Sequence, residues 1–139
     1  MLQGTEMTFN TKGLMSSKKQ DWTTPKELYQ ALDKEFKFDF DPCPVNPSFD
    51  GLVTDWGKSN FVNPPYNRNK LWIKKGFEEW KKGKQVVFLI PARTDTSYFH
   101  DYLYHNAELR FIRGRLKFGE GKGSAPFPSM IAILRKREA

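Results

Sequence analysis

Val86-Val87-Phe88-Leu89-Ile90, five consecutive apolar residues stopped by Pro91, constrains the fold more than any other stretch of this chain. A run without polar alternation reads as a strand covered on both faces, and a proline closes it by removing an N–H from the ladder. The sheet around it needs helices on two sides. The flanking pattern supplies them. Thr24 before Pro25 signals a helix start, and Leu28, Leu32 and Phe36 recur at four-residue spacing, which predicts an amphipathic helix over 25–36. Leu71, Trp72, Phe77 and Trp80 fall mainly on one face of a second helix ending near Gly83. A third helix is expected over 96–104.

Further strands are expected through Phe38 and Phe40, at the tip Phe61-Val62, over 109–112 and over 130–134, with a very short one around Leu52 and Val53. Alternating strands and helices predict an α/β chain folded as a three-layer sandwich with a mostly parallel central sheet and a C-terminal antiparallel strand. Ligands of such folds bind beyond the carboxyl ends of the strands. Residues 1–19 hold too few periodic apolar positions for an element and read as a flexible leader; residues 20–139 read as a single domain.

Charge then narrows the partner. Lys and Arg number 23 against 16 Asp and Glu, a formal +7, which favours polyanions and makes nucleic acid the first expectation. No stretch approaches the ~20 apolar residues of a membrane span, and the first residues lack an apolar signal core, so no membrane partner and a cytoplasmic protein are expected. Cys43 is the only cysteine, which excludes an internal disulfide and a metal site of several thiolates. His100 and His105 fit no metal motif, and no metal is expected.

Asn63-Pro64-Pro65-Tyr66 carries the chemistry. It directly follows the strand tip, and its parts suit methylation of an amino group conjugated to a ring. Such a nitrogen is a poor nucleophile because its lone pair is delocalised, so acceptors aimed at its hydrogens favour the pyramidal form that develops in the transition state. Asn63 offers a side-chain carbonyl and Pro64 a backbone one. Pro64 and Pro65 fix their φ angles and remove N–H groups that would occupy those acceptors, while Tyr66 can stack on a base. The same tetrapeptide also suits an ordinary surface turn.

The tetrapeptide matches the motif of amino-methyltransferases that use S-adenosylmethionine. Together with Asp21-Trp22-Thr23-Thr24-Pro25, Asp41-Pro42-Cys43-Pro44, the segment 89–96 and Arg113-Gly114-Arg115-Leu116-Lys117-Phe118, it resembles the phage DNA N6-adenine methyltransferase family over about 20–134. The resemblance implies a trimmed Rossmann-like methyltransferase sandwich, a phage or prophage origin, S-adenosylmethionine as cofactor, and methyl transfer to adenine N6 in double-stranded DNA with the base flipped out. It implies that Trp22, Thr23, Thr24 and Pro25 touch the methionine end of the cofactor. Asp41, Pro42 and Cys43 stand where the family's first cofactor strand ends, Asp41 suited to the cofactor's ammonium group and Cys43 to packing beside it. Asn63 borders the cofactor as well as the amine, and Asp50 is a candidate for the cofactor's adenine, although Asp50-Gly51 also suits a plain turn. Thr24 equally suits a helix cap.

The chain departs from the family pattern in one place. Pro-Cys-Pro replaces the Gly-rich loop of many methyltransferases, and only 22 positions separate Asp41 from Asn63, fewer than the ~30 of one full βαβ unit. Part of the cofactor wall is therefore expected to be missing or supplied by a second subunit in a homodimer.

Arg113, Arg115 and Lys117 lie among glycines with Phe118 and Phe127 interleaved, a pattern suited to phosphate contacts and to a ring closing over a flipped adenine opposite Tyr66. Arg93 suits DNA contact or a pair with Asp95. Two rival functions share these features. One is a catalytically silent DNA-binding module on the same fold; the other is methylation of adenine in RNA.

Overall fold

The computed structural model describes residues 23–117 and 124–137. The expected leader, Trp22 and Phe118 lie outside the described residues. Leu28, Leu32 and Phe36 fall on one face of helix α1 (Lys26–Phe36), and all three are buried. Lys37 ends it in the left-handed conformation, where its N–H donates to the Asp33 carbonyl at 2.7 Å and the Phe38 N–H donates to Asp33 Oδ1 at 2.9 Å. Helix α2 (Asn69–Lys81) buries Trp72, Ile73 and Gly76. It stops where Gly83 takes a φ of 102°, a conformation suited to glycine. Between positions 96 and 104 the helical segment is a π-helical stretch, Phe99–Leu103.

Four strands form the sheet: β1 (Ser59–Val62), β2 (Gln85–Pro91), β3 (Glu108–Phe111) and β4 (Ser129–Leu134), in the order β1-β2-β4-β3. β1 and β2 are parallel, whereas β4 runs against both β2 and β3. The expectation of a mostly parallel sheet is therefore corrected. β1, β2 and β3 share one direction, but β4 enters between β2 and β3, so two of the three ladders are antiparallel. The fold is α/β with a mixed sheet.

Alternation along the strands divides the core in two. Phe61, Val87, Leu89, Ile131 and Ile133 pack with α1, while Val62, Val86, Phe88, Ile90, Met130 and Ala132 pack with Trp72 and Ile73 of α2 and with Phe99 and Leu103. The unbroken apolar run in β2 is thus explained by helices on both faces. Arg110 ties β3 to α1, donating two 2.7 Å hydrogen bonds to Glu35 and one of 2.8 Å to Glu108. Beyond the N-terminal end of β2, the fully buried carboxylate of Glu79 receives Lys75 at 2.9 Å, Lys82 at 3.0 Å, Lys84, and the Trp56 N–H at 3.2 Å.

Two expected strands are corrected. The stretch through Phe38 and Phe40 shrinks to one parallel bridge, Phe40 with Asn60, because the Asp39 carboxylate accepts the Ser59 N–H at 3.1 Å and the Lys58 N–H at 3.3 Å, and Pro42 then offers no donor. Around Leu52 and Val53 the chain turns instead. Asp50 Oδ1 accepts the Leu52 N–H at 2.9 Å, and Val53 is 78% exposed. No described helix is long and apolar enough to cross a membrane.

Candidate active site

Three motifs meet beyond the carboxyl ends of β1 and β2. Phe61 points into the core under α1, and Asn63, two residues on, continues on that face. Its Nδ2 donates to Thr24 Oγ1 at 2.8 Å, bridging 39 positions of sequence. The Thr24 hydroxyl is thereby used as an acceptor, while Pro25 occupies the N-cap of α1 with no side-chain cap. The helix-cap reading of Thr24 is corrected: its oxygen orients Asn63. An amide oriented in this way by its nitrogen has its carbonyl oxygen as the acceptor it can offer a substrate.

Pro64 is buried, and Pro65 leads into a single turn of 3-10 helix, Tyr66–Arg68, that runs on into α2. This turn swings Tyr66 back over the sheet. Its ring centroid lies 5.4 Å from that of Phe127 at 53°. Asn63, Pro64 and Tyr66 line a small, partly open cleft together with Leu89, Ile90 and Pro91 of β2, with Ser129, and with Phe127, whose ring touches that of Tyr66. The Ser129 Oγ is buried and without a hydrogen-bond partner among the described residues. Sequence reasoning missed this residue; its signal is a polar side chain opening the otherwise apolar β4.

Asp41, Pro42 and Cys43 follow directly on Phe40, which bridges Asn60 of β1 and whose carbonyl accepts the Phe61 N–H at 3.1 Å. Asp41 Oδ1 accepts the Cys43 N–H at 2.9 Å. Burial pushes the Asp41 carboxyl above its ordinary value, and that hydrogen bond partly offsets the push. Its charge also acts on Tyr29 of α1, whose hydroxyl is raised by burial and then by Asp33 and Asp41. Asp41 is thus within electrostatic reach of Tyr29 in α1, and Thr23 and Thr24, which precede that helix, are half-buried.

Asp50 is exposed, holds its own turn and does not line the cleft. The adjoining Gly51 matters more. A Cβ on Gly51 would stand 1.9 Å from the Pro42 carbonyl oxygen, and the Gly51 carbonyl accepts Trp56 Nε1–H at 2.7 Å. Gly51→Ala must displace backbone and is expected to cost about 1–3 kcal/mol, read as a lowered urea midpoint; an unchanged midpoint would contradict this close approach.

Arg93 is exposed two residues past β2. Arg113 and Arg115 are exposed and Lys117 is half-buried. Arg115 Nη1 donates to the Ala125 carbonyl at 3.4 Å, and the Ala125 N–H donates to the Leu116 carbonyl at 2.8 Å, which pins the base of the basic loop beside Phe127. His100 Nε2 lies 2.8 Å from the Thr94 carbonyl oxygen.

A family model described as DNA N-6-adenine-methyltransferase (Dam) matches residues 11–136. A curated relative with the name DNA N-6-adenine-methyltransferase, from Escherichia phage T1, is 31% identical over 108 residues, a match covering 68% of this chain and 45% of the relative. The matched region thus spans less than half of that relative's length.

Proposed function

Because the chain belongs to the DNA N-6-adenine-methyltransferase (Dam) family, we propose that it transfers a methyl group from S-adenosylmethionine to the N6 amino group of adenine in double-stranded DNA. The observation that carries this reading is the Asn63 amide, fixed by Thr24 at the mouth of a cleft walled by Tyr66 and Phe127. A planar base flipped from the duplex stacks on Tyr66, and Phe127 buttresses that ring. Asn63 Oδ1 and the Pro64 carbonyl then accept the two amino hydrogens, which favours the nucleophilic form of the nitrogen.

The residues present fit the cofactor. Asp41 is a carboxylate within electrostatic reach of α1, suited to an ammonium group, and the first-turn N–H groups of α1 suit a carboxylate. Thr23, Thr24, Pro42 and Cys43 complete that side. S-adenosylmethionine, when bound, supplies a methyl carbon already activated by its sulfonium. The chain's own contribution is to orient the amine and exclude water. Strand order, a single antiparallel strand and helices on both faces support a trimmed three-layer methyltransferase sandwich. The short 41–59 segment leaves part of the cofactor wall open, and in this proposal a second copy of the chain completes it, to be tested by sedimentation with and without cofactor.

Calorimetry with S-adenosylmethionine, with and without an adenine-containing duplex, followed by transfer of a labelled methyl group, tests the reading. Saturable one-site binding and labelled DNA support it. DNA binding without cofactor binding or labelling would favour the silent module, and stronger labelling of RNA would change the substrate. Phosphate contacts by Arg113, Arg115 and Lys117 make a further expectation. The triple alanine variant should weaken DNA binding on all sequences and flatten the slope of log K against log salt by about one for each phosphate no longer neutralised; an unaltered slope would remove this loop from the interface.

A further inference from the structure

Ser129 is 2% exposed and its hydroxyl has no hydrogen-bond partner among the described residues, yet it lines the same cleft as Asn63. A buried unpaired hydroxyl is costly unless something pairs it, so such a group in a cleft points to a ligand. The surrounding backbone does not serve it. Pro91, its register partner on β2, has no N–H, the Ala92 N–H is spent on the Pro128 carbonyl at 2.8 Å, and the Ile112 N–H on the Ser129 carbonyl at 3.2 Å. Ser129 shares its face of β4 with Ile131 and Ile133, which lie in the core under α1 beside Phe61 and Leu89. It therefore stands on the Asn63 side of the sheet. β2 separates the two residues, which sets them two strand spacings apart across the sheet, about 10 Å, with Ser129 two residues further along β2 than Asn63. A base edge placed between the two side chains can meet Asn63 with its amino group and Ser129 with a neighbouring ring nitrogen.

We infer that the Ser129 hydroxyl donates a hydrogen bond to a ring nitrogen of the adenine, one of the two flanking its amino group, and so reads the edge of the base beside the amino group that Asn63 holds. Both of those nitrogens, N1 and N7, are acceptors, and a serine hydroxyl rotates to donate. The inference rests on the proposed methyl transfer. Ser129 is then a specificity residue whose unpaired state belongs to the protein without substrate.

The test compares wild-type protein with Ser129→Ala on duplexes centred on an adenine that the wild type methylates, and on matched duplexes bearing 1-deazaadenine or 7-deazaadenine there. On adenine, Ser129→Ala should lower kcat/KM about 10-fold. Its melting temperature should stay level or rise, because an unpaired buried hydroxyl has been removed. On one of the two deaza duplexes the wild type should fall to the level of the variant, with no further loss on mutation. Unchanged kcat/KM on adenine, or an equal loss on both deaza duplexes, would overturn the inference. Wild-type protein that labels no DNA would instead overturn the proposed function, and this inference with it.

Discussion

Asn63→Ala should lower methyl transfer to adenine by about 10²- to 10³-fold, the size of effect seen when one preorganised polar group is taken from a charge-stabilising site. Affinity for S-adenosylmethionine should fall much less, because the Asp41 carboxylate and the first-turn N–H groups of α1 remain when the amide is removed. Two companion variants separate orientation from presence. Thr24→Val keeps the amide but removes the oxygen that holds it at 2.8 Å, and about a tenfold loss in kcat is expected from the lost positioning. Asn63→Asp keeps an acceptor oxygen, and the Thr24 hydroxyl can rotate to donate to it, so it should retain more activity than Asn63→Ala. Transfer of labelled methyl to a duplex, with cofactor calorimetry on the same samples, reads all three. Full turnover by the alanine variant would sink the proposed function.

Glu79 should control stability without touching the cleft. Burial pushes its carboxyl up, but hydrogen bonds from Lys84, Lys75, Lys82 and the Trp56 N–H outweigh burial and bring it to about 2. The folded value lies below the ordinary value of 4.5, so the stabilisation is present above pH 4.5 and is lost as pH falls from there toward 2. A shift of this size corresponds to about 3 kcal/mol. Glu79→Gln should lower the urea-derived stability at pH 7 by about 2–3 kcal/mol. The gap between wild type and variant should close as pH is lowered toward 2, and taking that difference removes the contributions of Glu35 and Glu108, whose carboxyls are also held low. A gap constant with pH would contradict the buried carboxylate. Since Glu79 lies beyond the end of β2 opposite Pro91, kcat at low temperature should be unaffected.

Sequence and structure agree where a feature is local. The apolar run of β2 required two covered faces, the spacing of Leu28, Leu32 and Phe36 required α1, and Asn63-Pro64-Pro65-Tyr66 follows a strand as its chemistry demands. What the sequence left unread depends on distant partners. Nothing near β4 says that it slips between β2 and β3, and hydropathy around Phe40 does not reveal that Asp39 takes the N–H groups of Ser59 and Lys58. Thr24 reads as a cap until Asn63, 39 positions away, uses its oxygen. Ser129 and Glu79 look like ordinary surface polar residues, because burial is set by what folds over them.

The insertion of β4 between β2 and β3 also ties the timing of folding to the appearance of the cleft. During synthesis β1, β2 and β3 emerge first, but β3 has no neighbour and β2 keeps an open apolar edge until β4 arrives. Closing the 37 positions between Pro91 and its partner Ser129 is a non-local step, the kind that slows folding. The same step brings in Phe127 and Ser129, one whole wall of the cleft. A chain caught halfway would therefore be both sticky and inert, and methyl-transfer competence should report completion of the sheet.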